Sequence, residues 1–185
     1  MRIGIFEDSG VDLLEPITLT RPTFALRCGA ATQLERHRRF FDADEVGAWV
    51  RPALAELTRH EYPELAINQR PWRAEIWTNA RWLPSAQRRP DATAPHVGMI
   101  GQEVAYVAAP PSSPAEYAGD VSSWLAFCKD RLPQAPAEGI LIDYLWDAID
   151  HNGEALARDW PWFHAAHGAA YPPYGTVIGP SQQWS

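Results

Sequence analysis

Apolar and polar positions along this chain switch repeatedly between a period of two and a period near 3.6, which predicts strands alternating with helices. The run RIGIF at residues 2–6 is short, apolar and β-branched, and it stops at the acidic EDSG. It reads as a buried first strand ending in a turn, a place where α/β sheets often open a ligand crevice. Residues 30–41, AATQLERHRRFF, favour a helix; EVGAWV at 45–50 reads as a strand, and PALAELTRHEY at 52–62 as a helix opened by proline. EIWTNARWLP at 75–84 gives another short strand, running into a polar turn at Asn79 and Arg81 and stopped by Pro84. Residues 97–108, VGMIGQEVAYVA, have the pattern of a hairpin turning at Gly101 and Gln102.

The proline-rich APPSSP at 109–114 then reads as a linker. Tyr117, Val121, Trp124, Leu125 and Cys128 recur at helical spacing, predicting an amphipathic helix over 115–132. A second helix is predicted over 142–160, with Asn152 and Gly153 placed to break or kink it. The last stretch, AAYPPYGTVIGPSQQWS, loses helical periodicity and reads as an extended exit segment. The expected organisation is one α/β domain over 1–168, with a largely parallel mixed sheet covered on both faces, followed by the exit segment 169–185.

Composition narrows the classes of function. A length of 185 residues with 46% hydrophobic content supports one sizeable core. The net charge of −7 argues against nonspecific nucleic-acid binding. No run approaches the about 20 apolar residues of a membrane span, and the start MRIGIFEDSG lacks the layout of a secretion signal, so a cytoplasmic location without membrane contact is expected. Cys28 and Cys128 lack metal-ligand spacing and read as free buried thiols. Lys129 is the sole lysine, so nearly every cationic contact must be a guanidinium fork.

The first turn carries the richest chemistry. Carboxylates at Glu7, Asp8, Asp12 and Glu15 precede Thr18, Thr20, Arg21 and Arg27. Such a set suits a nucleotide phosphate: carboxylates for a hydrated magnesium ion, arginines for the charge that shifts in phosphoryl transfer, hydroxyls to fix oxygens. It equally suits internal pairing between the arginines and neighbouring carboxylates. Asn79 and Arg81 form a second polar turn, again at the carboxyl end of a predicted strand, where they could face the same crevice or simply close the turn. His164 and His167 share a helical face without a cysteine or carboxylate at zinc-site spacing, and read as surface or packing residues. The tryptophans of DWPWF could stack on a base or sugar, but fit core or interface better. No Gly-x-Ser-x-Gly elbow is present.

The stretch LLEPITLTRPTFALRCGAATQLER, followed in order by WTNARWLP, GQEVAYV and YLWDAIDHNGEAL, resembles a sugar nucleotidyltransferase family. That family includes an alternative, bifunctional form of N-acetylglucosamine-1-phosphate uridylyltransferase and glucosamine-1-phosphate acetyltransferase. The resemblance implies a Rossmann-like three-layer sandwich that joins a sugar 1-phosphate to a nucleoside triphosphate, releases pyrophosphate and uses magnesium. It assigns Arg21 and Arg27 to phosphate charge, Asp8, Thr18 and Thr20 to substrate orientation, and Asn79 with Arg81 to the opposite wall. The chain departs from ordinary sugar pyrophosphorylases at Val11 and Asp12, where their glycine-rich loop carries threonine and arginine, at Thr23 in place of a lysine, and at Asn79 in place of a metal-binding aspartate. In larger relatives a stretch like GTVIGP leads into a left-handed β-helix that carries acyltransferase activity and makes trimers. A noncatalytic domain that positions such a β-helix partner is therefore the alternative, and a homo-oligomer is a further possible arrangement.

Overall fold

A computed structural model of the chain describes residues 1–85, 89–117 and 120–167. In chain order the strands and helices are β1 (Arg2–Phe6), β2 (Arg27–Cys28), β3 (Ala31–Thr32), α1 (Gln33–Phe41), β4 (Glu45–Trp49), α2 (Ala55–Glu61), β5 (Ala66–Ile67) and β6 (Ile76–Asn79). They continue with β7 (Trp82–Pro84), β8 (His96–Ile100), β9 (Glu103–Ala108), α3 (Val121–Arg131), β10 (Gln134–Pro136), β11 (Gly139–Leu141), α4 (Leu145–Asp150) and α5 (Asn152–His167). Seven strands form the main sheet in the order β10-β8-β9-β6-β1-β4-β5. All pairings are parallel except those of β9, which runs against β6 and β8. The predicted mostly parallel mixed sheet of a Rossmann-like α/β fold is thus the observed one.

Alternation along the central strands divides the core. Ile3, Ile5, Val46, Ala48 and Ile76 pack on one face with Leu34 and Phe41 of α1 and Ala55 of α2. Phe6, Trp49 and Trp77 pack on the other with Trp124, Leu125 and Cys128 of α3. The second face is an aromatic wall: Trp77 meets Trp124 and Trp72 edge-on at centroid separations of 5.8 and 5.6 Å. A third, smaller cluster joins Leu14, Leu26, Leu83, Ile142 and Ala155 beneath the first loop. Cys28 and Cys128 are free and buried, as their spacing predicts.

Several boundaries differ from the pattern-based expectation, each for a local reason. The helix expected from residue 30 begins at Gln33, because Ala31 and Thr32 pair with Arg27 and Cys28 as a short ribbon. Thr32 then caps α1, accepting from the Glu35 amide at 3.2 Å while Glu35 accepts from the Thr32 amide at 2.7 Å. The helix expected from residue 115 begins at Val121, because the Asp120 carboxylate caps it by accepting from the Ser122 and Ser123 amides. The helix expected over 142–160 is two, with the break at His151 beside the predicted Asn152–Gly153. The strand expected over 75–84 splits at the Ala80–Arg81 turn, and β7 leaves the main sheet to pair antiparallel with β11. The hairpin turns where expected: Ile100 opposes Glu103, and Gly101 sits at φ 60°, as a two-residue turn with glycine first requires. The exit segment 169–185, with any route to a β-helix, lies outside the described residues. No described helix is long and apolar enough to cross a membrane.

One buried group makes stability pH-dependent. His37 is fully buried, and its Nε2–H donates to the Trp82 carbonyl at 2.8 Å, which fixes the neutral tautomer and leaves Nδ1 unprotonated. Burial, with Arg36 nearby, pushes its pKa down from 6.5 to about 4. The unfolded chain therefore binds the proton first, so stability falls as the pH drops from 6.5 toward about 4. Urea unfolding at about pH 5 should show a loss of about 2 kcal/mol relative to about pH 7, and His37→Gln should flatten that slope. An equally steep slope in the variant would place the titration elsewhere.

Candidate active site

The parallel strands β1, β4 and β6 end side by side, and each hands its chain to a polar residue: Glu7 and Asp8 after β1, Arg51 after β4, Asn79 and Arg81 at the end of β6. Strand order reverses at β1, which has β4 on one side and β6 on the other, so this carboxyl edge is the switch point where open α/β sheets hold ligands. Because β9 runs the opposite way, its first residues and the Gly101–Gln102 turn also open at this edge.

Arg81 is the centre of the site. Its guanidinium is almost fully buried and grips Asp8 with a two-pronged bond, Nε to Oδ1 at 2.9 Å and the terminal nitrogen to Oδ2 at 2.8 Å, while its other nitrogen donates to Asp143. Burial alone would favour the neutral guanidine, but Asp8 first and then Asp143 outweigh it and raise the pKa, so Arg81 stays charged. Asn79, also buried, donates to Asp8 Oδ2 at 2.7 Å and to the Val104 carbonyl at 2.9 Å, and its own oxygen accepts the Arg81 amide at 3.0 Å. Asp8 Oδ1 further accepts the Gly10 amide at 3.1 Å. Gly10 lies directly on the guanidinium: a Cβ there would come within 2.3 Å of Arg81 Cζ. The first loop is therefore sealed against β6 by a saturated carboxylate and a residue without a side chain.

A second clamp works beside it. Glu7 accepts the Thr23 amide at 2.7 Å through Oε1, and the Arg51 amide and Nε at 2.9 and 3.1 Å through Oε2. Arg51 also donates to the carbonyls of Thr18 at 2.7 Å and Arg21 at 3.3 Å. Buried Thr18 donates its hydroxyl to the Val11 carbonyl at 3.2 Å.

Of the residues named from the sequence, Asp8, Asn79 and Arg81 meet in one network. Thr18 lies behind the loop, Thr20 and Arg21 are exposed on it, and Arg27 sits on β2, donating to the Ala30 carbonyl with Glu35 at 4.0 Å. Arg51 and Asp143 were not legible as site residues. Arg51 occupies the same strand-end position as Asp8 and Asn79, a usable signal, whereas Asp143 lies in a stretch whose pattern speaks only of helix.

Two hollows line this edge. One of about 490 Å3 runs from Asp8 and Ser9 past Glu103 and Val104 to Leu125 and Lys129. The other, of about 220 Å3, runs from the same Asp8 and Ser9 to Asp12, Arg51 and Asp120. Both also touch Ser122, so they form one crevice over the Asp8–Ser9 backbone. A larger hollow of about 620 Å3 opens at the opposite, amino edge. It touches none of the residues above, and two of its arginines, Arg2 and Arg73, are paired with Glu45 and Glu116. Fold geometry favours the carboxyl-edge crevice as the site.

Magnesium bound by protein needs free carboxylate oxygens in near-octahedral array. Asp8 and Glu7 spend their oxygens on the contacts above, Asp120 spends its own on the α3 cap, and no group of three or more candidate ligands exists among the described residues. Asp12 and Glu103 also line the hollows with exposed carboxylates, yet no three candidate ligands cluster, so the described residues form no protein-only magnesium site.

No curated protein matches the chain. A family model described as sugar nucleotidyl transferase matches residues 3–167, which takes in all of the sheet but Arg2, both clamps and the crevice. With nearly its whole length covered, the chain belongs to the sugar nucleotidyl transferase family.

Proposed function

We propose that the protein is a sugar-1-phosphate nucleotidyltransferase, with N-acetylglucosamine 1-phosphate as the first sugar phosphate to try, and that its substrates meet in the carboxyl-edge crevice. The observation that carries this reading is the crevice itself, at the switch point of the sheet, in a chain whose family transfers nucleotidyl groups to sugars. In the reaction an oxygen of the sugar phosphate bonds to the α-phosphorus of the nucleoside triphosphate. The bond from that phosphorus to the bridging oxygen breaks, and pyrophosphate leaves with the electron pair.

The chain's own residues supply positioning and charge. The Asp8–Asn79–Arg81 network holds the Asp8–Ser9 backbone at a fixed height on the crevice floor, so that little reorganisation is needed when substrate arrives. Thr18 acts through the loop it anchors. Thr20 and Arg21 project from that loop, and Arg21 makes no side-chain hydrogen bond or ion pair among the described residues, which leaves its fork available to phosphate. Arg27 lines neither hollow and is held by Ala30 and Glu35, so its assignment to phosphate rests on the resemblance and not on its position.

The test is pyrophosphate release from a panel of nucleoside triphosphates with sugar 1-phosphates and magnesium, alongside thermal melting with the same ligands. A true substrate at about 100 times its Kd should stabilise the fold by about 2.7 kcal/mol. Arg21→Ala and Arg27→Ala should each lose about tenfold or more in kcat/KM at unchanged melting temperature. Neither pyrophosphate nor stabilisation with any pair would overturn the reading, and undiminished turnover in a variant would remove that arginine from the site.

A further inference from the structure

We infer that Lys129 is the phosphate anchor of the crevice. This rests on the transferase reading above and names a residue that the reading does not use. Two cationic side chains line the two joined hollows among their described residues, Arg51 and Lys129. Arg51 is tied to the protein at three points: its Nε and one terminal nitrogen hold Glu7 and the carbonyls of Thr18 and Arg21, which leaves one terminal nitrogen. Lys129 is freer. Its ammonium donates once, to the Gln102 carbonyl at 2.9 Å, and an ammonium has three donors. Two N–H groups remain for a ligand, from a position on α3 that faces the Asp8–Ser9 floor across the larger hollow.

The surroundings decide what such an anchor can take. Asp8 is paired with Arg81, which it shares with Asp143, so its charge is offset in part at the floor. Glu103 and Asp130, both exposed, flank Lys129 at the rim and oppose a highly charged anion. The seat therefore suits one phosphoryl group held by a point charge, not a whole polyphosphate in a positive field. The bond to Gln102 gives it a fixed height: Gln102 lies in the two-residue turn between β8 and β9, so the hairpin tip holds the ammonium over the crevice when no ligand is there. The phosphoryl group can belong to the nucleoside triphosphate or to the sugar 1-phosphate.

A chain with one lysine makes the test direct. The full-length protein is reductively methylated with formaldehyde and borohydride, and modification at Lys129 is followed by peptide mass spectrometry. The amino-terminal amine, paired with Asp44 at the far edge of the sheet, serves as the internal reference. UTP with magnesium, N-acetylglucosamine 1-phosphate, and each without the other are added in turn. Protection of Lys129 relative to the reference by either compound supports the anchor, and which compound protects identifies the source of the phosphate. In parallel, Lys129→Met should raise the Kd or KM for that compound about tenfold, the worth of one charge-assisted hydrogen bond, with Lys129→Arg recovering part of it. If wild type turns over or is stabilised by ligand while Lys129 stays unprotected and Lys129→Met binds normally, the anchor is overturned and the transferase reading stands. If wild type neither turns over nor responds to any nucleotide or sugar phosphate, both fall together.

Discussion

Arg81→Ala should lower the stability of the protein by about 3–5 kcal/mol, the range for removing one partner of a buried ion pair. The loss comes less from the missing attraction than from what is left behind. Asp8 would be left in a site with 7% side-chain exposure, holding only Asn79 and the Gly10 amide. At this chain length that corresponds to a melting temperature lower by about 10 °C. The variant should also lose transferase activity, because the Asp8–Ser9 floor is held by that pair. Removing Asp8 as well separates the two contributions: the double variant Asp8→Ala, Arg81→Ala should be more stable than the sum of the single losses implies, since no orphaned carboxylate remains. Gly10→Ala probes the same spot by sterics, and should destabilise by about 1–3 kcal/mol because the guanidinium it would strike is fixed on both sides. A loss below about 1 kcal/mol in Arg81→Ala, measured by urea unfolding, would show that the fork is solvated instead of buried.

Asp159→Ala should be comparably severe at a place far from the crevice. The fully buried Asp159 carboxylate of α5 accepts from both terminal nitrogens of Arg36 at 2.8 Å, from Arg39 at 2.7 Å and from the Ala30 amide at 3.1 Å. Burial works to raise its pKa, but Arg36 and then Arg39 outweigh that and hold it below the usual 3.8, so the contribution is full near neutrality and is lost only in acid below that value. Without Asp159 the buried Arg36 guanidinium keeps one acceptor among the described residues, the Cys28 carbonyl, and the expected cost is again about 3–5 kcal/mol. The loss should concentrate in α5, visible as faster amide exchange and proteolysis of residues 152–165 while the central sheet stays protected. Replacing Arg36 by Met in the same chain should restore part of the stability. Uniform loss of protection across the sheet would instead mean that α5 is integral to the core.

The central part of the fold was legible because its signals are local. RIGIF and EVGAWV are apolar runs of strand length, enough to name two buried strands, and VGMIGQEVAYVA carries its own turn. What escaped was pairing between segments distant in sequence. Gln134–Pro136 has no apolar run of its own, and Gly139–Leu141 lies in one too short to separate strand from helix; they pair with β8 and β7. The same limit applies to the site. Asp8, Asn79 and Arg81 could be named because each follows a recognisable strand, but a sequence gives the residue and not its partner. The carboxylate, amide and guanidinium look like ligand-seeking groups until the distances show them spent on one another. Lys129, by contrast, reads as a solvated position on a helix, because no pattern within α3 reveals that the hairpin tip stands opposite it.

The lone reversed strand has a consequence for how such proteins diversify. With β9 running backward, the tight bend at Gly101 protrudes beside the proposed substrate crevice while both flanking ladders stay anchored deep in the scaffold. Lengthening or recharging those few residues would reshape what the groove admits without touching the packing on either face of the sheet. Descendants could thus exchange one sugar or base for another by editing a fingertip, and leave the hand intact.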